Sequence, residues 1–182
     1  MAQVSRTACL TAFLTVALPF AAYPSAPLVL DVPLVRQKKE GCGAASLAMV
    51  LDYWRAAHPE LALPPADPDA LYHALYSAEH KGIPAAALIR HLDQIGFHAL
   101  PLNATRTDIE AQLGQGRPMI AALKDGPRLH YVVVRGIEPA AIWINDPWDG
   151  KPHRLPWRSF DQRWEGGARW LLLAVPRSSS SR

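Results

Sequence analysis

From position 42 the apolar residues Ala45, Ala48, Met49, Leu51 and Tyr53, together with the small Ala44, recur at helical spacing. The window consists of good helix formers and has no proline before Pro59, which predicts a long buried helix. Glycines 41 and 43 are expected to let the backbone turn tightly into it. Upstream, "LVLDVPLVRQKK" (residues 28–39) alternates apolar and polar positions around a proline and suits a leading strand or an extended arm. Downstream, prolines mark residues 58–69 as a loop, and Asp67 before Pro68 predicts a capped helix running to Gly82. A further helix is predicted from Pro84 to Gly96, then a strand "FHALPLN", then a short helix ending at Gly114 with Thr107 and Glu110 as its capping box.

Beyond residue 116 the period changes from helical to extended. "RPMIAALKDG", "HYVVVRGIE", "AAIWIND" and "ARWLLLAVP" are apolar runs separated by Gly, Pro and Asp turns, and such short connections imply antiparallel neighbours. "PWRSFDQRW" reads as a helical turn between the last two. The chain is therefore expected to be a single α+β domain over residues 27–176, with N-terminal helices packed on a C-terminal antiparallel sheet and no internal repeat. Its 182 residues are enough for one domain with a real core and too few for two.

The first 26 residues depart from this pattern. They hold no Asp or Glu, one Arg (Arg6) and an apolar run over residues 8–23, which describes a secretory signal cleaved near Ala22 or Ala26. An uncleaved N-terminal membrane anchor is the alternative, and the expected location is outside the cytoplasm, periplasmic or secreted. The tail "RSSSSR" (residues 177–182) has the composition of a disordered segment.

Composition changes the picture little: 49% hydrophobic and 19% charged residues are those of a globular protein. Removing Arg6 with the signal reduces 19 basic residues to 18 against 16 acidic ones, a net charge of +2. With no Lys/Arg cluster interleaved with aromatics, nucleic acid is not an expected partner. Scattered histidines and few cysteines show no metal-ligand spacing, so neither metal nor cofactor is expected. Cysteine usage is more informative. Without Cys9 the mature chain keeps one thiol, Cys42, at the first turn of the predicted long helix, where the helix dipole and unpaired N–H groups favour thiolate.

A thiolate needs a base. Of seven histidines, His130 opens the most apolar strand, while His58, His73, His80, His91, His98 and His153 lie in a proline-rich loop, helices, a strand and a turn-rich stretch. Asp146 ends the next strand, and in an antiparallel hairpin the start of one strand neighbours the end of the next. A carboxylate beside His130 would fix the imidazole tautomer. Asn145 is placed by alternation on the opposite face. Gln37 is a candidate oxyanion donor upstream of Cys42. Each residue also has an ordinary use: Cys42 as a buried structural thiol, His130 as a strand-end residue bonded to a carbonyl, Asp146 in the turn "NDPWDG", and Gln37 as a plain arm residue. The tryptophans are mostly core, with Trp148 available to shield the His–Asp pair or to line a cleft.

"QKKEGCGAASLAMVLDYW", "HYVVVRGI" and "INDP", in that order, resemble the Gln, Cys-Gly, His-Tyr and Asp-Pro segments of the C39 peptidases, papain-like cysteine proteases best known as leader-removing domains of bacteriocin exporters. The resemblance spans about residues 31–165. It implies a papain-like fold with Cys42 as nucleophile, His130 as general base and acid, Asp146 as orienter and Gln37 as oxyanion donor, acting on a peptide or protein substrate. Two features depart from the family pattern. Gln37 stands five residues before the cysteine, where six is usual, and Gly41 takes the place of an acidic neighbour. In addition, the exporter-fused members carry transporter domains and work at the cytoplasmic face, whereas this chain is expected to be free-standing and exported, so cleavage after a double glycine is not implied. Acyl transfer to an amine and non-catalytic peptide binding are the competing activities on such a fold.

Overall fold

The computed structural model describes residues 26–177. The signal segment and the serine-rich tail read from the sequence lie outside them, apart from Ala26 and Arg177. The elements in chain order are β1 (Leu28–Val29), α1 (Cys42–Ala57), α2 (Pro68–Leu75), α3 (Ala85–Gln94), β2 (Phe97–Asn103), α4 (Arg106–Gly114), β3 (Met119–Asp125), β4 (Arg128–Glu138), β5 (Ala141–Asp146), β6 (Lys151–Pro156), α5 (Trp157–Gly166) and β7 (Trp170–Pro176).

The strands form one antiparallel sheet in the order β2-β7-β3-β4-β5-β6, with β1 pairing to β4. The apolar runs of β3, β4 and β7 are buried at both parities because both faces of the sheet are covered. Ile120, Val133 and Leu172 point to one face, where α1, α2 and α3 supply Leu47, Met49, Leu71, Leu88 and Leu92. Met119, Leu123, Val132, Val134 and Leu173 point to the other, against Ile109 and Leu113 of α4 and Phe160 and Trp164 of α5. Small residues at 43, 44, 45 and 48 let α1 lie close to the first of these faces. This is the expected α+β arrangement of helices on an antiparallel sheet, extended by a second helical layer.

Four local expectations are corrected. Helix α2 stops at Leu75, not Gly82: Tyr76 turns out to hydrogen-bond Glu40, the Ser77 and Gly82 backbones pair, and the Ser77 hydroxyl meets His80 Nδ1 at 2.9 Å. Side-chain bonds of this kind compete with a helix whose propensity alone would continue. The capping box of α4 is formed by Thr105 and Asp108, not by Thr107 and Glu110. Both pairs have the same spacing, and the earlier one prevails, the Thr105 N–H donating to Asp108 Oδ2 at 2.7 Å. Residues 151–156, read as turns, form the edge strand β6, whose proline-flanked, polar sequence suits an edge rather than a core strand. "PWRSFDQRW" forms a full helix, α5, anchored by buried Trp157, Phe160 and Trp164.

The β4 strand carries a bulge between Val134 and Gly136, where β1 crosses it. A Cβ on Gly136 would sit 2.7 Å from the Leu28 carbonyl oxygen and 2.9 Å from Val29 Cα, both backbone atoms. Gly136→Ala is therefore expected to lower the unfolding free energy by about 1–3 kcal/mol in urea titrations. An unchanged midpoint would contradict this close approach.

Candidate active site

The arm that precedes α1 is fixed to the sheet before it reaches the helix. The Leu30 N–H donates to Arg135 O at 2.7 Å, the buried Asn145 side chain donates to Val32 O at 2.9 Å, and the Gln37 N–H donates to Pro147 O at 2.8 Å. The chain then doubles back, with the Gly41 N–H donating to Lys38 O at 3.0 Å. The left-handed residue of this turn is Glu40, φ +55°, held by the Tyr76 hydroxyl, which donates to Glu40 Oε2 at 2.8 Å. Gly41, φ −99°, has a backbone any residue could adopt, so the tight entry into the helix does not depend on glycine's conformational freedom there. The flanking glycines provide space instead: a Cβ on Gly41 would meet Lys38 O at 3.1 Å, and one on Gly43 would meet Ile83 Cβ at 3.0 Å.

Cys42, a free thiol, is the first residue of α1. No acidic residue occupies the helix's first turn, so nothing there offsets the positive end of its dipole.

His130 lies near the start of β4 and Asp146 at the end of β5. The strands pair Val133 with Asn145, so Asp146 stands diagonally across from His130 on the same face. The imidazole Nε2 and Asp146 Oδ1 are 2.7 Å apart, and the side chains are 11% and 16% exposed. The same carboxylate oxygen accepts the Trp148 N–H at 2.9 Å. Asn145, one residue earlier, faces away and is spent on the arm, as alternation requires.

Burial disfavours a charged imidazole, but hydrogen bonds to Asp146 and Cys42 and the negative charge of both outweigh it, and the His130 pKa is raised to about 9. Burial pushes the Asp146 carboxyl up, while the hydrogen bonds from His130 and the Trp148 N–H, with the charge of His130, pull it down further, leaving it below its ordinary range. With Nε2 on the carboxylate, Nδ1 is the ring nitrogen left to meet the sulfur. Tyr131, whose ring is tilted against that of Trp170 at 5.6 Å between centroids, is pushed up to about 12 by burial and by the Cys42 charge.

Gln37, Cys42 and His130 line one cleft of about 500 Å³. Asp146 stands behind the imidazole and is not part of the cleft wall. The Gln37 side chain is half-buried, and its Oε1 has no hydrogen-bond partner among the described residues. Trp148, 70% exposed, lines the cleft. Residues that the sequence reading passed over also contribute: Glu40, Ile83, Leu129 and Tyr131, and His80, which belongs to a turn on the rim and not to a helix. Tyr131 had a usable signal in its place directly after His130; the turn at 77–82 had none, because its shape depends on partners distant in sequence. Among the described residues no group of three or more His, Cys, Asp or Glu side chains is arranged to hold a metal ion.

The chain is 34% identical over 129 residues to the transport/processing ATP-binding protein ComA of Streptococcus pneumoniae, a match covering 69% of this chain and 16% of ComA. It thus spans only a small part of that relative's length. Its fold is similar to the peptidase domain of Streptococcus ComA, a bi-functional ABC transporter involved in quorum sensing, with a TM-score of 0.66 and 23% identity over 80% of this chain and 99% of that one. A double glycine motif protease from an AMS/PCAT transporter, solved with its leader peptide, gives a TM-score of 0.61 and 23% identity over 81% and 94% of the two chains. The fold is that of C39 peptidase domains, papain-like. Residues 29–169 match the family described as "Peptidase_C39 like family", and those residues contain the arm, the thiol, the imidazole and its carboxylate: the chain belongs to the C39-like cysteine peptidase family.

Proposed function

We propose that this protein hydrolyses peptide bonds through an acyl-enzyme intermediate, with Cys42 as nucleophile, His130 as general acid and base, Asp146 orienting the imidazole and Gln37 assisting at the oxyanion. The observation that carries the reading is the 2.7 Å His130–Asp146 bond behind a cleft that Cys42 and His130 share. The thiolate attacks the scissile carbonyl carbon, and the developing oxyanion meets the Cys42 N–H and the Gln37 carboxamide. As the C–N bond breaks, imidazolium gives its proton to the leaving amine. Neutral His130 then takes a proton from water as its oxygen bonds to the acyl carbon, and the C–S bond breaks, which releases the acid and restores the thiolate beside imidazolium. A peptide as substrate is supported by the family and by the leader-peptide complex of the double glycine motif protease.

Export belongs to the same reading. It is supported by the acid-free apolar run over residues 8–23, and the domain is proposed to begin near residue 27.

Cys42→Ala is expected to reduce peptide hydrolysis to the uncatalysed background with the thermal melt preserved; turnover by the purified variant would refute the mechanism. Gln37→Ala is expected to lower kcat by about 10²-fold with little change in KM. A loss confined to KM would instead make Gln37 a substrate contact.

The pH dependence follows from the raised His130 value. Imidazolium is needed for proton transfer to the leaving amine, so the alkaline limb of kcat/KM is expected near pH 9. Asp146→Asn removes the carboxylate hydrogen bond and charge that raise it, and the limb should move toward the ordinary imidazole value, with a lower rate. The same pair bears on stability. Because the folded-state value is raised, its contribution is fully present below about pH 6.5 and is lost as pH rises through about 9. Steady-state profiles and urea melts of both proteins from pH 5 to 10 measure the two effects. An alkaline limb common to both proteins would contradict the assignment.

A further inference from the structure

Past Trp148 the active-site cleft runs into a second hollow of about 550 Å³, lined by Arg36, Lys38, Lys39 and Asp149, with Gln37, Glu40, Arg128 and Trp148 shared between the two. Four cationic side chains face two carboxylates there. The carboxylates are already engaged: Glu40 accepts from the Tyr76 hydroxyl and stands 3.8 Å from Arg128, and Asp149 pairs with His153 at 3.0 Å. Lys38 pairs with Asp69 at 2.5 Å. Arg36 and Lys39 form no ion pair among the described residues, and both are exposed.

Arg36 is also positioned. Its stem lies against Gly150, where a Cβ would come 2.9 Å from Arg36 Cβ and 3.1 Å from its Cγ. The turn that follows Asp146 therefore provides a bed for the arginine stem, one that a side chain at position 150 would fill. That turn belongs to the segment that also holds the His130 carboxylate and the Trp148 N–H.

We propose that this end of the cleft is a subsite for an acidic stretch of the substrate, with Arg36 and Lys39 as its specificity-determining residues. The inference rests on the peptidase reading for its consequence in turnover, but not for binding. His130 protonates the leaving amine, and Asp146 and Trp148 continue from it toward the cationic hollow, so the acidic residues belong C-terminal to the cleaved bond. Exposed charge pairs each contribute little, so the preference should be modest and should weaken with salt.

Two measurements separate this inference from the peptidase reading. In the first, the mature protein digests a mixture of random-sequence peptides at 20 and 200 mM NaCl, and cut sites are read by mass spectrometry. Asp and Glu are expected to be enriched in the three positions after the cut at low salt, and Arg36→Glu with Lys39→Glu should invert the preference toward Lys and Arg. In the second, Cys42→Ala protein binds fluorescein-labelled decapeptides that differ only in carrying three Glu or three Lys. The Glu peptide should bind about fivefold more tightly, and the double charge reversal should reverse that order. Charge-blind binding, or tighter binding of the Lys peptide by Cys42→Ala protein, overturns the subsite even if hydrolysis is robust. Charge-selective binding without any cleavage would uphold the subsite while the peptidase reading falls.

Discussion

The pairing of β4 with β5 decides where the imidazole points. With Val133 opposite Asn145, Asp146 falls on the face of His130 and within 2.7 Å of its ring nitrogen. A slip of one residue would exchange the two faces, turning the carboxylate toward the arm and the Asn145 amide toward the imidazole. The sheet resists such a slip because β4 is buried on both sides: Val132 and Val134 fit one helical layer and Val133 the other. Core packing and the chemistry of the cleft are thus tied to one register.

The end of β5 serves as a junction as well as a strand terminus. Asn145 holds the arm at Val32, the Pro147 carbonyl holds it at Gln37, and Asp146 between them holds the imidazole. The thiol reaches the same place from the other direction, at the start of a helix whose buried face is packed against the sheet. Taking an imidazole and a carboxylate out of water is costly unless each finds partners. Here the carboxylate has two donors, and the imidazole has the carboxylate on one side and the sulfur on the other, which leaves the pair charged and ordered.

Much of this was readable in the sequence, for identifiable reasons. The α1 helix, the α3 helix and the central strands announce themselves through apolar spacing, and the hairpin between β4 and β5 is short enough for its end-to-start contact to follow from geometry alone. Asn145 could be set aside by alternation. What escaped depends on partners far along the chain or on weak patterns. The turn at 77–82 replaces the end of a helix because Glu40 and Gly82 supply its partners. Edge strand β6 has no apolar run because an edge needs none. Thr105 and Thr107 both offer a capping box, and sequence spacing cannot choose between them. The glycines beside Cys42 suggest a tight backbone turn when met in the sequence; in the fold they make room for Lys38 and Ile83, and Glu40 carries the unusual backbone angle.

The central claim is that Cys42 and His130 act as one activated pair. Its most direct test is the rate of iodoacetamide alkylation of Cys42 against pH, in the wild-type protein and in His130→Ala. Alkylation near neutral pH that is much faster than that of a free cysteine, and that slows by about tenfold or more when His130 is removed, is the predicted result. A thiol that reacts at the same rate in both proteins, or reacts in neither, would contradict the claim.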